Sequence, residues 1–221
     1  GAFERHEQIA ELTEGRLLPM SKPGKSKAVE SARPLVFLSI TRKVLSGIVL
    51  RRISEKANEF LSLSQHAYRA NRSTAEITMT TQWLRATSER YAERVHIMGI
   101  DLSKAFDCID RSKLLQILEQ QQIATEDELR LIQYLISDTK LQVKLGQTYG
   151  EKFQTVIGTP QGDALSPMLF LIYLEQIIRT ASLEQRLTQR DAIYAYADDV
   201  NFAMIEDDEV RVEMHRERQA D

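Results

Sequence analysis

Three aspartates stand where the chain could carry out metal-dependent chemistry. Asp198 and Asp199 are adjacent between two runs rich in β-forming residues, and neighbouring carboxylates repel one another unless a cation lies beside them. Asp101 lies at the end of the apolar run 95–102, which predicts a buried strand where an ionised acid needs a partner. If these strands are neighbours in one sheet, the acids offer the oxygen ligands that Mg²⁺ or Mn²⁺ prefers. The alternative for Asp198 and Asp199 is a solvated turn, where aspartate is common.

A second candidate site is the segment G-T-P-Q-G-D at 158–163. Two glycines that bracket proline and glutamine form a rigid bend, and its backbone allows a planar ligand to approach closely. The alternative is a turn with only a structural role. Lys22, Lys25 and Arg33 are cations that could hold phosphate groups, although on their own they are equally typical of a solvated surface.

Hydrophobic periodicity predicts the elements that must position these residues. Apolar residues in 39–60 have the spacing of an amphipathic helix, and further helices are predicted to begin near residues 73, 112, 125 and 166. Strands are predicted at 17–20, 95–102, 141–145, 192–196 and 200–205. By their spacing, Asp107 and Asp110 are assigned to the turn and the cap before the helix near residue 112. Helices and strands alternate irregularly, which favours an α+β fold over a doubly wound parallel sheet.

Charge and composition exclude several classes of protein. The 221 residues carry a formal net charge of −3, but residues 1–95 hold 16 Lys and Arg against 10 Asp and Glu, whereas residues 96–221 hold 13 against 22. This asymmetry argues against a uniformly charged nucleic-acid wrapper; separate phosphate-binding and metal-binding parts, or simply two solvated faces, both remain open. No apolar run approaches the roughly 20 residues of a membrane span. Cys108 is the only cysteine, which excludes disulfides within the chain and cysteine-based zinc sites and favours an intracellular setting.

Taken together and in this order, six segments resemble the reverse transcriptase family. The resemblance spans about residues 17–205 and is strongest to the non-LTR (LINE-type) retrotransposon enzymes, with group II intron maturases as the nearest competitor. The segments are L-P-M-S-K-P-G-K (18–25), A-R-P-L (32–35), Q-H-A-Y-R-A-N-R-S-T (65–74), I-D-L-S-K-A-F-D (100–107), G-T-P-Q-G-D-A-L-S-P-M-L-F (158–170) and A-Y-A-D-D-V (195–200).

The resemblance implies a role for each matching residue. Asp101, Asp198 and Asp199 would be the catalytic carboxylates and would bind two Mg²⁺ (or Mn²⁺) ions, with the backbone carbonyl of Leu102 as a further ligand. Phe106 matches the aromatic gate that crowds a ribose 2′-hydroxyl and so selects deoxynucleotides. Binding of the dNTP is implied for Lys22, Arg33, Phe106, Gln161 and Gly162, and contact with the template for Arg69 and Arg72.

The resemblance also implies a right-hand polymerase fold. Fingers are expected at 1–94 and 112–156, and palm at 95–111 and 157–221, with an antiparallel palm sheet backed by helices. Only 22 residues follow Asp199, so the thumb is expected to be absent. The expected activity is RNA-directed DNA synthesis, the addition of dNMP to a primer 3′-hydroxyl by a two-metal mechanism.

The expected partners are an RNA template, a DNA or RNA primer and dNTPs, with no membrane and with a homodimer left open. In a eukaryote the location would be a nuclear or cytoplasmic ribonucleoprotein. Two alternatives remain: a maturase-type reverse transcriptase, and a catalytically silent polymerase-derived module that binds RNA or protein. A metal-dependent nuclease is a third reading, but the sequence places no His or Lys as its general base.

Overall fold

The structure of the chain is a computed structural model that describes residues 9–20, 32–102, 104–137, 139–180 and 192–206. Backbone contacts divide the chain into two units, Gly1–Leu61 with Lys104–Gln176 and Ser62–Ser103 with Ile177–Asp221. Each unit has its own β-sheet and its own helices, which confirms the predicted α+β class. The ranges expected for fingers and palm stay a prediction. None of the described helices is long and apolar enough to cross a membrane.

The elements follow the predicted order. Most of the predicted ends differ from the observed ones by only a few residues. In chain order they are α1 (Ala10–Thr13), β1 (Glu14–Met20), β2 (Arg33–Leu38), α2 (Ile40–Phe60), α3 (Thr74–Tyr91), β3 (Arg94–Asp101), a 3₁₀ helix (Ala105–Cys108), α4 (Arg111–Gln120), α5 (Glu126–Ser137), β4 (Lys140–Leu145), β5 (Thr148–Gln154), α6 (Ser166–Thr180), β6 (Ala192–Tyr196) and β7 (Asp199–Glu206).

The first unit contains a four-stranded mixed sheet in the order β2-β1-β4-β5. β1 is antiparallel to β2 and parallel to β4, and β4 is antiparallel to β5. Side chains alternate between the two faces of a strand, and Leu17, Val36, Leu38 and Leu141 form a small apolar core on one of them.

In the first half of helix α2, the buried side chains are not the apolar ones that the sequence pattern predicts. Ile40, Val44 and Ile48 are exposed, and the buried stripe runs instead through Arg42 and Ser46 before it reaches Val49, Ile53, Ala57 and Phe60. The amphipathic pattern therefore identifies the helix and the buried face of its second half. At the start of the helix a buried arginine occupies the position that periodicity assigns to an apolar residue.

Arg42 is fully buried and connects four segments of the first unit. Its Nε donates to Oδ2 of Asp163 at 2.9 Å, and Nη1 and Nη2 donate to the carbonyl oxygens of Leu12 at 2.7 Å and Leu135 at 2.8 Å. Nη1 also donates to the hydroxyl of Thr139 at 3.3 Å. A buried charge is tolerated only when it is paired and hydrogen-bonded, and here one guanidinium satisfies those conditions for itself and for Asp163.

The second unit contains a three-stranded sheet in the order β3-β7-β6, antiparallel throughout. Helix α3 packs against it through Leu84, which forms a buried cluster with Tyr194, Ala203 and Ile205. This is the antiparallel sheet backed by a helix that the sequence predicts. The expectation of a buried strand at 95–102 is wrong in one respect, because β3 is a strand but is exposed along nearly its whole length. Among the strands that the structure describes, β3 is at the edge of this sheet and pairs with β7.

Substitution of Arg42 by methionine is expected to lower the free energy of unfolding by about 3–5 kcal/mol, because it leaves the Asp163 carboxylate buried without its partner. Urea unfolding followed by circular dichroism measures the change. Arg130→Ala is the matched control, since Arg130 forms an exposed pair with Glu126 one helical turn away, and pairs of that kind contribute about 1 kcal/mol or less. Equal losses in the two variants would contradict the role given to Arg42.

Candidate active site

The register of β3 and β7 brings two of the three predicted acids together. Asp101 is the last residue of β3 and Asp199 is the first residue of β7, and the two are direct partners across the antiparallel pair. Directly opposite residues project from the same face of a sheet, with Cβ atoms about 4.5–5.5 Å apart. Both side chains are exposed. Two carboxylates so close repel one another unless a cation lies between them.

Asp198 lies in the turn Ala197-Asp198 that joins β6 to β7, and its side chain is half-buried. Partial burial raises the pKa of the Tyr68 phenol, and the negative charge of Asp198 raises it further. Among the residues that the structure describes, no group of three or more His, Cys, Asp or Glu side chains could hold a metal ion. Two acids are therefore opposed, and the third occupies the adjoining turn.

An open depression of about 440 Å³ surrounds this acid pair. Asp101, Asp199, Tyr196 and Asn201 line it from the sheet, and Thr74 and Thr78 are among the residues that line it from α3. Mg²⁺ binds through one or two carboxylates and completes its shell with waters and substrate phosphates, rather than in an all-protein cage. The donor chemistry at this end of the sheet fits such an ion.

Gln65 holds the turn that carries Asp198. Its side-chain amide bonds both backbone groups of Ala197: Oε1 accepts from the N–H at 3.0 Å, and Nε2 donates to the carbonyl at 3.3 Å. The segment around Gln65 also pairs with β6, since the N–H of Ala195 donates to Ser64 O at 2.8 Å and that of His66 to Ala195 O at 2.9 Å. Ala197 has a φ of 56°, a conformation that is uncommon without glycine and needs such support. The sequence does not predict this role. There, Gln65 is only the first residue of the segment at 65–74 that resembles the family.

Arg69 and Arg72, the predicted template contacts, take part in bonds within the second unit. Nη1 of Arg69 donates to the carbonyl of Ser62. Nη1 of Arg72 donates to Oε1 of Glu76 at 3.4 Å, and Oε2 of Glu76 lies 2.7 Å from Nδ1 of His66. The hydrogen bond with His66 is the main cause that holds the pKa of Glu76 below its ordinary value. A template role for the two arginines stays a prediction.

Phe106 lies in the 3₁₀ helix of the first unit and is half-buried. Its ring centroid is 4.9 Å from that of Phe170, with the planes tilted by 35°. Its carbonyl oxygen accepts from the N–H of Thr159 at 2.9 Å. A Cβ at Gly158 would lie 2.7 Å from Cα of Asp107, so the loop at 158–161 is packed directly on the segment that carries Phe106.

Gln161 and Gly162 are held between the 3₁₀ helix and β2. Nε2 of Gln161 donates to both carboxylate oxygens of Asp107, at 3.3 and 3.2 Å, and its backbone carbonyl accepts from the N–H of Val36 at 2.8 Å. Gly162 has a φ of +119°, and a Cβ there would lie 2.5 Å from the Val36 carbonyl oxygen. Burial raises the pKa of Asp107, and the bond from Gln161 opposes that shift. Asp107 thus orients Gln161. The sequence predicts only that Asp107 lies in a turn, and this further role is not predicted.

Arg111 fixes the approach to the same loop. It is buried, and its guanidinium donates to the carbonyl oxygens of Thr155 at 2.6 Å, Gly158 at 2.8 Å and Ile157 at 3.1 Å. Arginine is rarely buried, so nothing in the sequence signals this position. The cap assigned to Asp110 is confirmed, since its Oδ1 accepts from the N–H of Lys113 at 3.0 Å at the start of α4.

The other predicted site residues are placed only in part. Arg33 begins β2 opposite Met20, and Leu102 follows β3 in irregular backbone. Lys22 lies outside the described residues. The aspartates belong to the second unit, and Phe106, Gln161 and Gly162 belong to the first. The structure groups the predicted residues within each unit, and their individual roles stay predictions.

Comparison with known proteins identifies relatives of the chain. Residues 20–219 match the family model described as reverse transcriptase (RNA-dependent DNA polymerase). Over 185 residues the chain is 24% identical to the Retrovirus-related Pol polyprotein from type-1 retrotransposable element R2 of Nasonia vitripennis, covering 84% of this chain and 17% of that protein. Over 189 residues it is 23% identical to the Probable RNA-directed DNA polymerase from transposon BS of Drosophila melanogaster, covering 83% and 20%. The chain thus spans about a fifth of the length of these relatives.

The fold is shared with solved telomerase structures. A structure of apo telomerase from Candida tropicalis superposes with a TM-score of 0.68 at 12% identity, over 96% of this chain and 41% of that one. The expectation of a polymerase fold of the reverse transcriptase type is confirmed.

Alanine at position 162 is expected to lower the free energy of unfolding by about 2 kcal/mol or more, because its Cβ meets the Val36 carbonyl and its φ is strained. Gly47→Ala is the matched control, since a Cβ at that position in α2 meets nothing within 4 Å and alanine in a helix interior gains about 0.5–1 kcal/mol over glycine. Chemical unfolding of both variants measures the difference. Two changes of the same sign would contradict the constraint placed on Gly162.

Proposed function

Because the chain belongs to the reverse transcriptase family, we propose that it carries the RNA-directed DNA polymerase activity of a retrotransposon-type enzyme. In this reaction a primer 3′-hydroxyl attacks the α-phosphate of a dNTP, and pyrophosphate leaves as dNMP is added. The observation that carries the proposal is the opposition of Asp101 and Asp199 at one end of an antiparallel sheet, beside the turn that holds Asp198. The names of the R2 and BS relatives favour the retrotransposon type over the maturase type.

Family membership implies dependence on a divalent metal, and we infer that two Mg²⁺ (or Mn²⁺) ions are held by Asp101, Asp198 and Asp199 with the carbonyl of Leu102. When bound, such ions neutralise the triphosphate and lower the pKa of the attacking hydroxyl. The protein's own contribution is placement: Gln65 holds the Ala197-Asp198 turn by both backbone groups of Ala197. A turn held in this way keeps Asp198 in place, so its carboxylate needs little reorganisation during the reaction.

The nucleotide is proposed to contact residues of the first unit. Asp107 accepts two hydrogen bonds from the Gln161 amide nitrogen, so the amide presents its oxygen away from the carboxylate, where it can border the nascent base pair. Phe106 is proposed as the gate against a 2′-hydroxyl, with its ring supported by Phe170. Arg33 and Lys22 are proposed to bind the phosphates, and the template is proposed to be RNA.

A binding module without catalysis is the second candidate. The observation in its favour is that the described residues contain no group of three His, Cys, Asp or Glu side chains able to hold a metal. Such a module would bind RNA without adding nucleotides. Primer extension on an RNA template separates the two, because RNA binding without extension by the unsubstituted chain would support the module and overturn the enzyme.

Asp198→Asn is expected to lower the rate of primer extension on an RNA template with dNTPs and Mg²⁺ by about 100-fold or more, because it removes one charged donor at the reacting centre. Asp127→Asn is the control, since Asp127 is an almost fully exposed acid in the first turn of α5. An Asp198→Asn variant as fast as the control would exclude Asp198 from the site.

Phe106→Ala is expected to raise the incorporation of ribonucleotides relative to deoxynucleotides by about 10-fold or more, because a smaller side chain leaves room for the 2′-hydroxyl. Single-nucleotide extension with matched rNTP and dNTP concentrations gives the ratio of kcat/KM values. Phe106→Tyr keeps the ring and should keep the selectivity. The same ratio in the alanine variant and the unsubstituted chain would remove Phe106 from the nucleotide site.

A further inference from the structure

One face of the four-stranded sheet plays no part in the proposed active site. Leu17, Val36 and Leu141 line a small cavity of about 120 Å³ together with Gln161, on the inner face of the sheet. The neighbouring residue Arg16 projects to the opposite, outer face, because successive side chains alternate. The outer face is therefore separated from the Gln161 loop by the thickness of the sheet.

A row of polar and aromatic side chains crosses all four strands on this outer face. Arg16 is the register partner of Phe37 on β2 and of Gln142 on β4, and Gln142 is the partner of Lys152 on β5. Further along the same face, Lys144 is opposite Tyr149. We call these six residues the outer platform: Arg16, Phe37, Gln142, Lys144, Tyr149 and Lys152.

Cations and exposed rings alternate within the outer platform. The guanidinium carbon of Arg16 is 5.8 Å and the ammonium of Lys144 is 5.4 Å from the centroid of the Tyr149 ring, which is the distance of a cation–π contact. Tyr149 is 45% exposed and Phe37 is 50% exposed. Two aromatic rings are thus about half exposed, and the Tyr149 ring has two cations beside it.

The outer platform is positive within an acidic chain. Glu14 is an acid that lines part of this surface, and its carboxylate is already paired with the Lys152 ammonium at 2.7 Å. A depression of about 480 Å³ follows the same surface past Arg16, Phe37, Gln142 and Lys152. Because the whole chain carries a net charge of −3, attraction of a polyanion has to come from a local surface such as this one.

From this arrangement we infer that the outer platform binds single-stranded RNA, on the face of the sheet opposite the Gln161 loop. Positive charges that follow a phosphate backbone, interleaved with rings on which bases stack, are how proteins bind single strands without reading their sequence. Leu18 and Leu35 continue the same face beside Arg16 and Phe37, but the outer platform itself combines cations and an amide with two rings, which suits a charged strand with stacking bases better than an apolar protein surface. The choice of RNA as the strand rests on the proposed function, because RNA is the strand that such an enzyme copies. The contacts that define the surface itself do not depend on that function.

Charge substitution tests the electrostatic half of this inference. The variant Arg16→Gln/Lys144→Gln should bind a fluorescein-labelled 12-nucleotide uridine-rich RNA about 10-fold more weakly in an anisotropy titration. A plot of log K against log salt concentration should have a slope shallower by about 1.4, because each lost phosphate contact with a single strand contributes about 0.7. Arg51→Gln/Lys113→Gln removes two exposed helix cations of the same unit and should leave the slope unchanged. Equal slopes in the two double variants would overturn the platform.

Crosslinking tests the aromatic half. The same RNA with 5-iodouridine should crosslink, on irradiation, to the peptides that contain Tyr149 and Phe37. Tyr149→Leu keeps an apolar side chain but no stacking surface, and it should weaken binding about 5-fold with an unchanged unfolding midpoint. Crosslinks confined to other peptides, or full competition by duplex RNA of equal length, would overturn the platform, since a duplex offers no free base to stack.

The same preparations separate this inference from the proposed function. Asp198→Asn should lose primer extension and keep the crosslinks to Tyr149 and Phe37. An unsubstituted chain that crosslinks there but extends no primer would overturn the polymerase proposal and support the platform. A chain that extends primers and forms no such crosslinks would overturn the platform alone.

Discussion

The pairing of β3 with β7 is the constraint on which the candidate active site depends. It sets Asp101 opposite Asp199, and a slip of one residue would turn one of these carboxylates to the other face of the sheet. The buried cluster of Leu84, Tyr194, Ala203 and Ile205 resists that slip from the far end of the strands. The acids can be exposed and mutually repulsive because the energy that fixes their positions comes from apolar packing along the same strands.

Buried polar side chains fix the loops in both units. Gln65 bonds both backbone groups of Ala197 in the second unit, and Arg111 bonds three successive parts of the segment before Gln161 in the first. Arg42 does the same for the segment that contains Asp163. Such groups are costly to bury unless every bond is made, so they favour one loop conformation strongly. A site that must place several groups within fractions of an ångström requires that kind of support.

Much of the fold follows from local patterns. The starts of α2, α3, α4, α5 and α6 and the strands that carry the acids are close to their predicted positions, because caps and periodicity act over a few residues. Burial follows less well. Ile40, Val44 and Ile48 look like a core face and are exposed, and β3 looks buried and is an edge strand. Both cases depend on which neighbours an element has, and a local pattern does not contain that information.

The sequence by itself determined which side chains are available, namely three carboxylates, Phe106 and a P-Q-G bend, in an order that places the chain in its family. Tertiary structure alone decided that Asp199 rather than Asp198 stands opposite Asp101, that Gln65 and Asp107 position the neighbouring groups, and that Arg16, Lys144 and Tyr149 share one face. The physical reason is range. Residue type and helix or strand preference are properties of a few neighbouring residues, whereas register and partner choice join segments far apart in the chain and exist only once they have met.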